Sequence, residues 1–349
     1  MRRHLISEAG RRVSEIVIDR GVADDPHAVL QFRADRANAA VLCQPATRGV
    51  AERLAAAFAR TGIAAAVIEL PDGEEVKALD ALEPIYRRLN DLSLTRRDTI
   101  VGVGGGALTD VAGFVAATYL RGIEAVYVAT TLLGAVDAAI GGKTAVNVGG
   151  KNLVGVFAHP TRVVIDLDLL DQLPPDLIRQ GSAEALKAGL VGDPELVSLY
   201  ARHGIDAPLD EVVDRAVGVK AAVVSDDFRE RGDRAYLNYG HTVGHAIEVA
   251  SGISHGDAVA IGMVAAGTVS RLTVGFTGAG EQRDLIGRLG LPTVAPPVNA
   301  ARVLELVNLD KKRDAAGTRM VVLEEIGRPA VLHVDDATVR AALASVDVA

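Results

Sequence analysis

Short runs that are apolar on both faces alternate with amphipathic segments through the first half of the chain. Residues 15–18, 39–42, 64–69, 99–103, 125–129 and 162–166 are such runs, while 50–59, 76–92 and 108–119 repeat their apolar positions with a helical period. Strands buried on both faces belong to a largely parallel sheet, and alternation with helices is the rhythm of a nucleotide-binding layer. After Pro174-Pro175 the texture changes. Helical periodicity dominates 182–191, 209–225, 241–250, 257–272 and 279–289, and a hairpin is expected where 320–323 and 330–334 flank Gly327-Arg328-Pro329. The pattern predicts an α/β N-terminal domain with a Rossmann-like parallel sheet over 1–173. A mainly α-helical C-terminal domain follows over 174–349.

Composition narrows the classes. Acids outnumber bases 45 to 37, for a formal charge of -8, which argues against a nucleic-acid partner. There is no Trp and one cysteine, Cys43, so a disulfide within the chain and a cysteine-rich zinc module are excluded and a cytoplasmic setting is expected. Residues 1–12 are charged without an apolar core, so a secretory signal is not expected. The apolar stretch 258–269 falls short of the roughly 18–20 residues that span a bilayer, so no membrane partner is expected.

Two regions carry candidate chemistry. In the first half, the run 99–103 enters Gly104-Gly105-Gly106 and then the helix that holds Asp110. Such a turn lets backbone N–H groups approach a pyrophosphate at a helix N-terminus, although a glycine triplet is often structural. Thr130-Thr131 follows the next strand, with Asp137 beyond it, and Glu74 and Lys77 stand at a loop-to-helix junction. Within 137–152, Lys143 and Lys151 each follow Gly-Gly, an arrangement suited to a bound anion, and Asn152 closes the segment. The Walker A spacing is absent.

In the second half, Glu184 and Lys187 share one helical face, as a surface ion pair also would. His241 and His245 lie one helical turn apart, and His255 follows. Imidazoles with a carboxylate are what a catalytic Zn²⁺ accepts, and three of the eight histidines fall in this short stretch. Lys220 interrupts an apolar helical stripe, and Arg234 precedes Asn238 by one turn. The run Asp310-Lys311-Lys312-Arg313 has the composition of a solvated charge cluster.

Together these motifs resemble the 3-dehydroquinate synthase family of sugar phosphate cyclases. The resemblance rests on 104–114, Tyr-Leu-Arg-Gly at 119–122, 130–152, 183–187, 237–248, 255–263 and 310–312. It implies a dehydroquinate synthase-like fold and an NAD- and Zn²⁺- (or Co²⁺-) dependent lyase. The implied reaction takes 3-deoxy-D-arabino-heptulosonate 7-phosphate to 3-dehydroquinate by transient oxidation, phosphate β-elimination, reduction, ring opening and aldol closure, a step of the shikimate pathway. It further implies Glu184, His241 and His255 as metal ligands. Asp137, Lys143, Lys187, Lys220, Arg234, Asn238 and His245 become catalytic, with His245 as proton shuttle. Arg121, Lys151, Asn152 and Lys312 become substrate-binding, Arg121 across a homodimer interface. Glu74, Lys77, Gly105, Gly106, Asp110, Thr130 and Thr131 become NAD contacts, joined by Asp137, Lys143 and Lys151.

Two departures stand out. Where the family often places an acid that meets the adenosine ribose, this chain reads Gln44-Pro45-Ala46-Thr47. The loop Val148-Gly149-Gly150 before Lys151 is one residue short. Rival readings are an aminodehydroquinate synthase, a sedoheptulose 7-phosphate cyclase and a metal-dependent polyol dehydrogenase. The last has little use for so many cations.

Overall fold

The computed structural model describes residues 1–31, 36–311 and 317–348, with the backbone alone given for 308–311. The chain divides into two compact units, Met1–Leu173 with Val224–Arg229, and Pro174–Val223 with Glu230–Ala349.

The first unit is built on a seven-stranded sheet. In chain order its strands are β1 (Arg2–Glu8), β2 (Arg11–Asp19), β3 (Asn38–Cys43), β4 (Ala64–Glu69), β5 (Thr99–Gly104) and β6 (Glu124–Ala129). A small hairpin, β7 (Lys143–Val146) with β8 (Val154–Phe157), precedes the last sheet strand, β9 (Arg162–Asp166). The spatial order is β1-β2-β9-β6-β5-β3-β4, parallel throughout except for the β1–β2 pair. β5 and β9 bury every residue, which is why they read as unbroken apolar runs. Val41, Val101, Val126 and Val164 pack with Leu54 and Phe58 of the helix Arg48–Arg60.

This strand order decides where a ligand goes. From β3 the chain steps outward to β4, then returns across β3 to β5. The reversal creates a switch point between the carboxyl ends of β3 and β5, the place where open α/β sheets take ligands. Gln44 and Gly104–Gly106 stand at those two ends.

Three expectations change. β1 was not legible, because its residues are mostly exposed. The helix expected over 76–92 begins at Leu82, after 3-10 turns at Gly73–Lys77 and Leu79–Ala81. The cause is a tertiary contact: the Lys77 carbonyl accepts from the Asn147 N–H at 2.8 Å, so the hairpin loop takes a group a helix would use. Residues 224–229 belong to the first unit, where the Ser7 N–H donates to Ser225 Oγ at 3.2 Å and Phe228 stacks on His159 with centroids 3.8 Å apart.

The second unit is mainly helical: Pro175–Gly192, Pro194–His203, most of Leu209–Asp226, His241–Ser251, His255–Val274, Ala279–Arg288, Ala300–Lys311 and Asp336–Ala344, with the hairpin β10 (Thr318–Glu325) and β11 (Arg328–Val334). The helix His255–Val274 extends the apolar stretch read from sequence to 20 residues, long and apolar enough to cross a membrane by length and composition. It is a core helix here, most of it buried. Glycines let its neighbours close in. A Cβ on Gly244 would stand 2.8 Å from the Ala258 carbonyl oxygen, and one on Gly256 would stand 2.3 Å from that of Gln180. Any larger residue would push apart the three helices that carry Glu184, His241 and His255.

Candidate active site

The glycine turn after β5 is a close-packed cradle. Gly105 is the N-cap of the helix Gly106–Thr118 and has no side chain to cap it, leaving first-turn N–H groups for a ligand. Added Cβ atoms on Gly105 and Gly106 would lie 3.1 Å from Thr131 Cγ2 and 2.9 Å from Ala138 Cβ. Thr130 is buried and its N–H donates to the Gly104 carbonyl at 3.1 Å, while Thr131 Oγ1 accepts from the Gly134 N–H at 3.1 Å. Asp137 lies in the π-helical turn Gly134–Ala138 that follows. The donor set, an uncapped helix N-terminus in a cradle without side chains, fits a dinucleotide pyrophosphate.

Beside it lies a polar network. Lys77, only 2% exposed, donates to Asp110 Oδ2 and to Asn152 Oδ1. Asn147 Nδ2 donates to Glu74 Oε1 at 3.1 Å, and its Oδ1 accepts from the Asn152 N–H at 2.9 Å. Burial pushes the Asp110 carboxyl up to about 6, with the Lys77 ammonium opposing the rise. Four residues expected to contact cofactor or substrate, Glu74, Lys77, Asp110 and Asn152, are thus joined in one cluster. Asn147, which sequence reasoning missed, holds it together. Gln44, at the expected acid position, donates from Nε2 to the Pro71 and Gly73 carbonyls at 2.9 Å each, and Thr47 Oγ1 donates to the Val103 carbonyl at 2.8 Å. The loop is therefore anchored across the switch point without a carboxylate.

In the second unit Glu184 is 1% exposed and Lys187 2%, and the two form an ion pair on the helix Pro175–Gly192. The surface reading of this pair is excluded by its burial. Glu184 Oε1 lies 3.4 Å from His241 Nε2 and 3.2 Å from His255 Nε2. His241 and His255 begin their helices, and His245 follows His241 by one turn, with ring centroids 4.9 Å apart. One ring nitrogen from each of His241, His245 and His255 can lie within 4.8 Å of the others. The structure therefore places His245 within reach of the expected set of Glu184, His241 and His255.

Electrostatics favour a cation at this point. Burial pushes the Glu184 carboxyl up, but the Lys187 ammonium and then His241 outweigh it and hold it well below the usual carboxylate range. Burial lowers His241. Burial also opposes charge on His255, yet Glu184 and Glu248 push it up to about 9. Imidazole and carboxylate donors on one focus fit Zn²⁺ or Co²⁺.

The remaining candidates are distributed as follows. Lys220 (8% exposed) and Arg234 (2%) are buried in the second unit, and Asn238 Nδ2 donates to Glu230 Oε1 at 2.5 Å. Lys143 and Lys151 are exposed in the first unit, Lys143 at the start of β7. Arg121 is exposed on a strained turn, where Leu120, Arg121 and Gly122 have φ of 51°, 66° and 119°. Lys312 lies outside the described residues, as do the side chains of 308–311.

Comparison with known proteins supplies the context for this geometry. The family description 3-dehydroquinate synthase N-terminal matches residues 67–180, and 3-dehydroquinate synthase C-terminal matches 181–313. The 3-dehydroquinate synthase of Corynebacterium jeikeium is 39% identical over 346 residues, covering 94% of this chain and 92% of that one. That of Thermobifida fusca is 42% identical over 330 residues, covering 91% and 89%. Among solved structures, 2-deoxy-scyllo-inosose synthase complexed with carbaglucose-6-phosphate, NAD⁺ and Co²⁺ superposes with a TM-score of 0.88. It is 25% identical, covering 98% of this chain and 99% of that one. With both halves of the family pattern matched and relatives near 40% identity along almost the whole length, the chain belongs to the 3-dehydroquinate synthase family.

Proposed function

We propose that the protein is a cytosolic carbon–oxygen lyase that converts 3-deoxy-D-arabino-heptulosonate 7-phosphate to 3-dehydroquinate and phosphate. The observation that carries this is the buried Lys187 ammonium set against Glu184 beside His241 and His255. That arrangement combines a metal-type donor set with a cation suited to an anionic substrate. When bound, NAD⁺ supplies a reversible hydride acceptor and the divalent ion an electrophile that acidifies a hydroxyl. Glu184, His241 and His255, with His245 at hand, would hold the ion. Gly105, Gly106, Thr130 and Thr131 with the cluster of Glu74, Lys77, Asp110 and Asn152 would hold the dinucleotide, assisted by Asp137, Lys143 and Lys151.

The chain's own groups then manage charge and protons. Lys187 keeps Glu184 ionised. His245, exposed and one turn from His241, passes the hydroxyl proton toward solvent. Lys143, Lys151 and Arg121 stabilise the phosphate as its C–O bond breaks, and the departing phosphate takes the neighbouring C–H proton. Lys220, Arg234 and Asn238 bind the substrate carboxylate and orient the opened chain for aldol closure. Arg121 acts across a homodimer interface. Leu120 and the exposed apolar residues Leu153, Val154, Val156 and Phe157 support such an interface.

The test is to supply NAD⁺ and Zn²⁺ with each of three substrates in parallel: the heptulosonate phosphate, its amino analogue and sedoheptulose 7-phosphate. The expected result is phosphate release and a product of dehydroquinate mass from the first. Turnover of either alternative alone would reassign the protein to a sister cyclase.

A further inference from the structure

The tautomers of the candidate metal-binding imidazoles can be read from their outer contacts. His241 Nδ1 lies 3.3 Å from the Tyr239 carbonyl, and His255 Nδ1 lies 2.9 Å from Glu248 Oε2. A carbonyl and an ionised carboxylate accept hydrogen bonds and do not donate them, so Nδ1 of each ring carries a proton. Each Nε2 faces Glu184 Oε1, at 3.4 Å and 3.2 Å, and is the nitrogen left to meet an ion there. Glu248, with 13% of its side chain exposed, stands on the helix His241–Ser251 that carries the other two histidines, whereas His255 opens the next helix. The only link along the backbone between them is the short turn 252–254 around Gly252, whose φ is +73°. The Glu248 contact on the His255 ring therefore comes from a different helix than the one that carries the ring.

We propose that Glu248 is a positioning residue for the metal centre. It fixes the His255 tautomer and ring angle so that Nε2 meets the ion together with His241. Buried carboxylates behind ligating histidines raise ligand basicity, and losing one typically costs about 10- to 100-fold in metal affinity. This inference rests on the metal-centre reading above. It extends that reading to a residue that touches neither substrate nor cofactor, and that sequence reasoning passed over because a glutamate near a helix end looks solvated.

The test uses the full chain, stripped of metal and titrated with Co²⁺ and Zn²⁺ against a chromophoric chelator. The parent is compared with Glu248→Ala and Glu248→Gln. The expected result is a loss of about 10- to 100-fold in affinity for Glu248→Ala, with a shifted Co²⁺ absorption band. Glu248→Gln, whose amide oxygen still accepts from Nδ1–H, should recover most of the affinity and the parental band. Metal-free melting temperatures of the three proteins should agree within a few degrees, which separates positioning from folding. Parental affinity and spectrum in Glu248→Ala would overturn the proposal. So would equal losses in both variants accompanied by a lower metal-free melting temperature. A parent that binds neither ion would overturn the metal centre itself, and with it this role, from the parental titration alone.

Discussion

In the first unit the candidate ligand-binding atoms are offered by turns: an uncapped helix end at Gly105, the strand-end threonines, and a loop pinned by Asn147. In the second they are offered by three helices pressed together at Gly244 and Gly256, with Glu184 and Lys187 buried between them. Backbone N–H groups cost little to leave facing a ligand, and they suit a large anion that must enter and stay bound through a catalytic cycle. Buried opposite charges cannot be left unpaired, so the metal half is organised before any ion arrives. One half is a receptor shaped by missing side chains, the other an electrostatic focus shaped by present ones.

The difference can be broken most severely at Glu184. Glu184→Gln removes a ligand and leaves the Lys187 ammonium buried without its carboxylate. Activity is expected to fall about a thousandfold, and stability by about 3 kcal/mol. Metal analysis and urea unfolding check both, and NAD⁺ binding should persist.

Lys77→Met is the corresponding change in the other half. It strands Asp110 and releases Asn152, at an expected cost of about 2–3 kcal/mol together with weaker NAD⁺ binding. Calorimetric titration with NAD⁺ and with metal separates the halves, because metal affinity should not move.

Asp110 gives a pH signature. Its folded pKa of about 6 lies above the ordinary 3.8, so the folded state holds the proton more tightly. That contribution is present below about pH 4 and is lost as pH rises through 6, on the order of 1–3 kcal/mol. Asp110→Asn should remove it. Urea unfolding of both proteins at pH 4.5 and pH 7 would show the parent losing more stability than the variant over that interval, and equal losses would sink the assignment. The smallest effect is expected at Asn147→Ala, which frees the 147–152 loop. NAD⁺ affinity should fall a few-fold while the melting temperature stays within a few degrees.

How much of this the sequence disclosed follows the same division. Buried parallel strands announce themselves as unbroken apolar runs, and β3, β5, β6 and β9 were legible for that reason. β8 exposes all four of its residues and has no alternation to read, so the β7–β8 hairpin passed for a loop. The first turns after Gly73 carry a helical pattern overridden by the Asn147 contact, a tertiary effect no local pattern contains. In the metal half the histidine spacing was visible. What made it a cluster, the close helix crossings at Gly244 and Gly256, was not, because a glycine within a helical pattern reads locally as a weakness. Glu248 and Asn147 stayed hidden for a related reason, since each acts through contacts with residues distant from it in the local pattern.

The central claim is that NAD⁺ is used and regenerated within each turnover. The most direct measurement supplies the protein with Zn²⁺, excess 3-deoxy-D-arabino-heptulosonate 7-phosphate and NAD⁺ at substoichiometric concentration, following phosphate release and absorbance at 340 nm together. Phosphate released many times over the NAD⁺ present, with no lasting absorbance, is the predicted result. One NADH accumulating per substrate consumed, with no phosphate released, would contradict the account and make the protein a dehydrogenase.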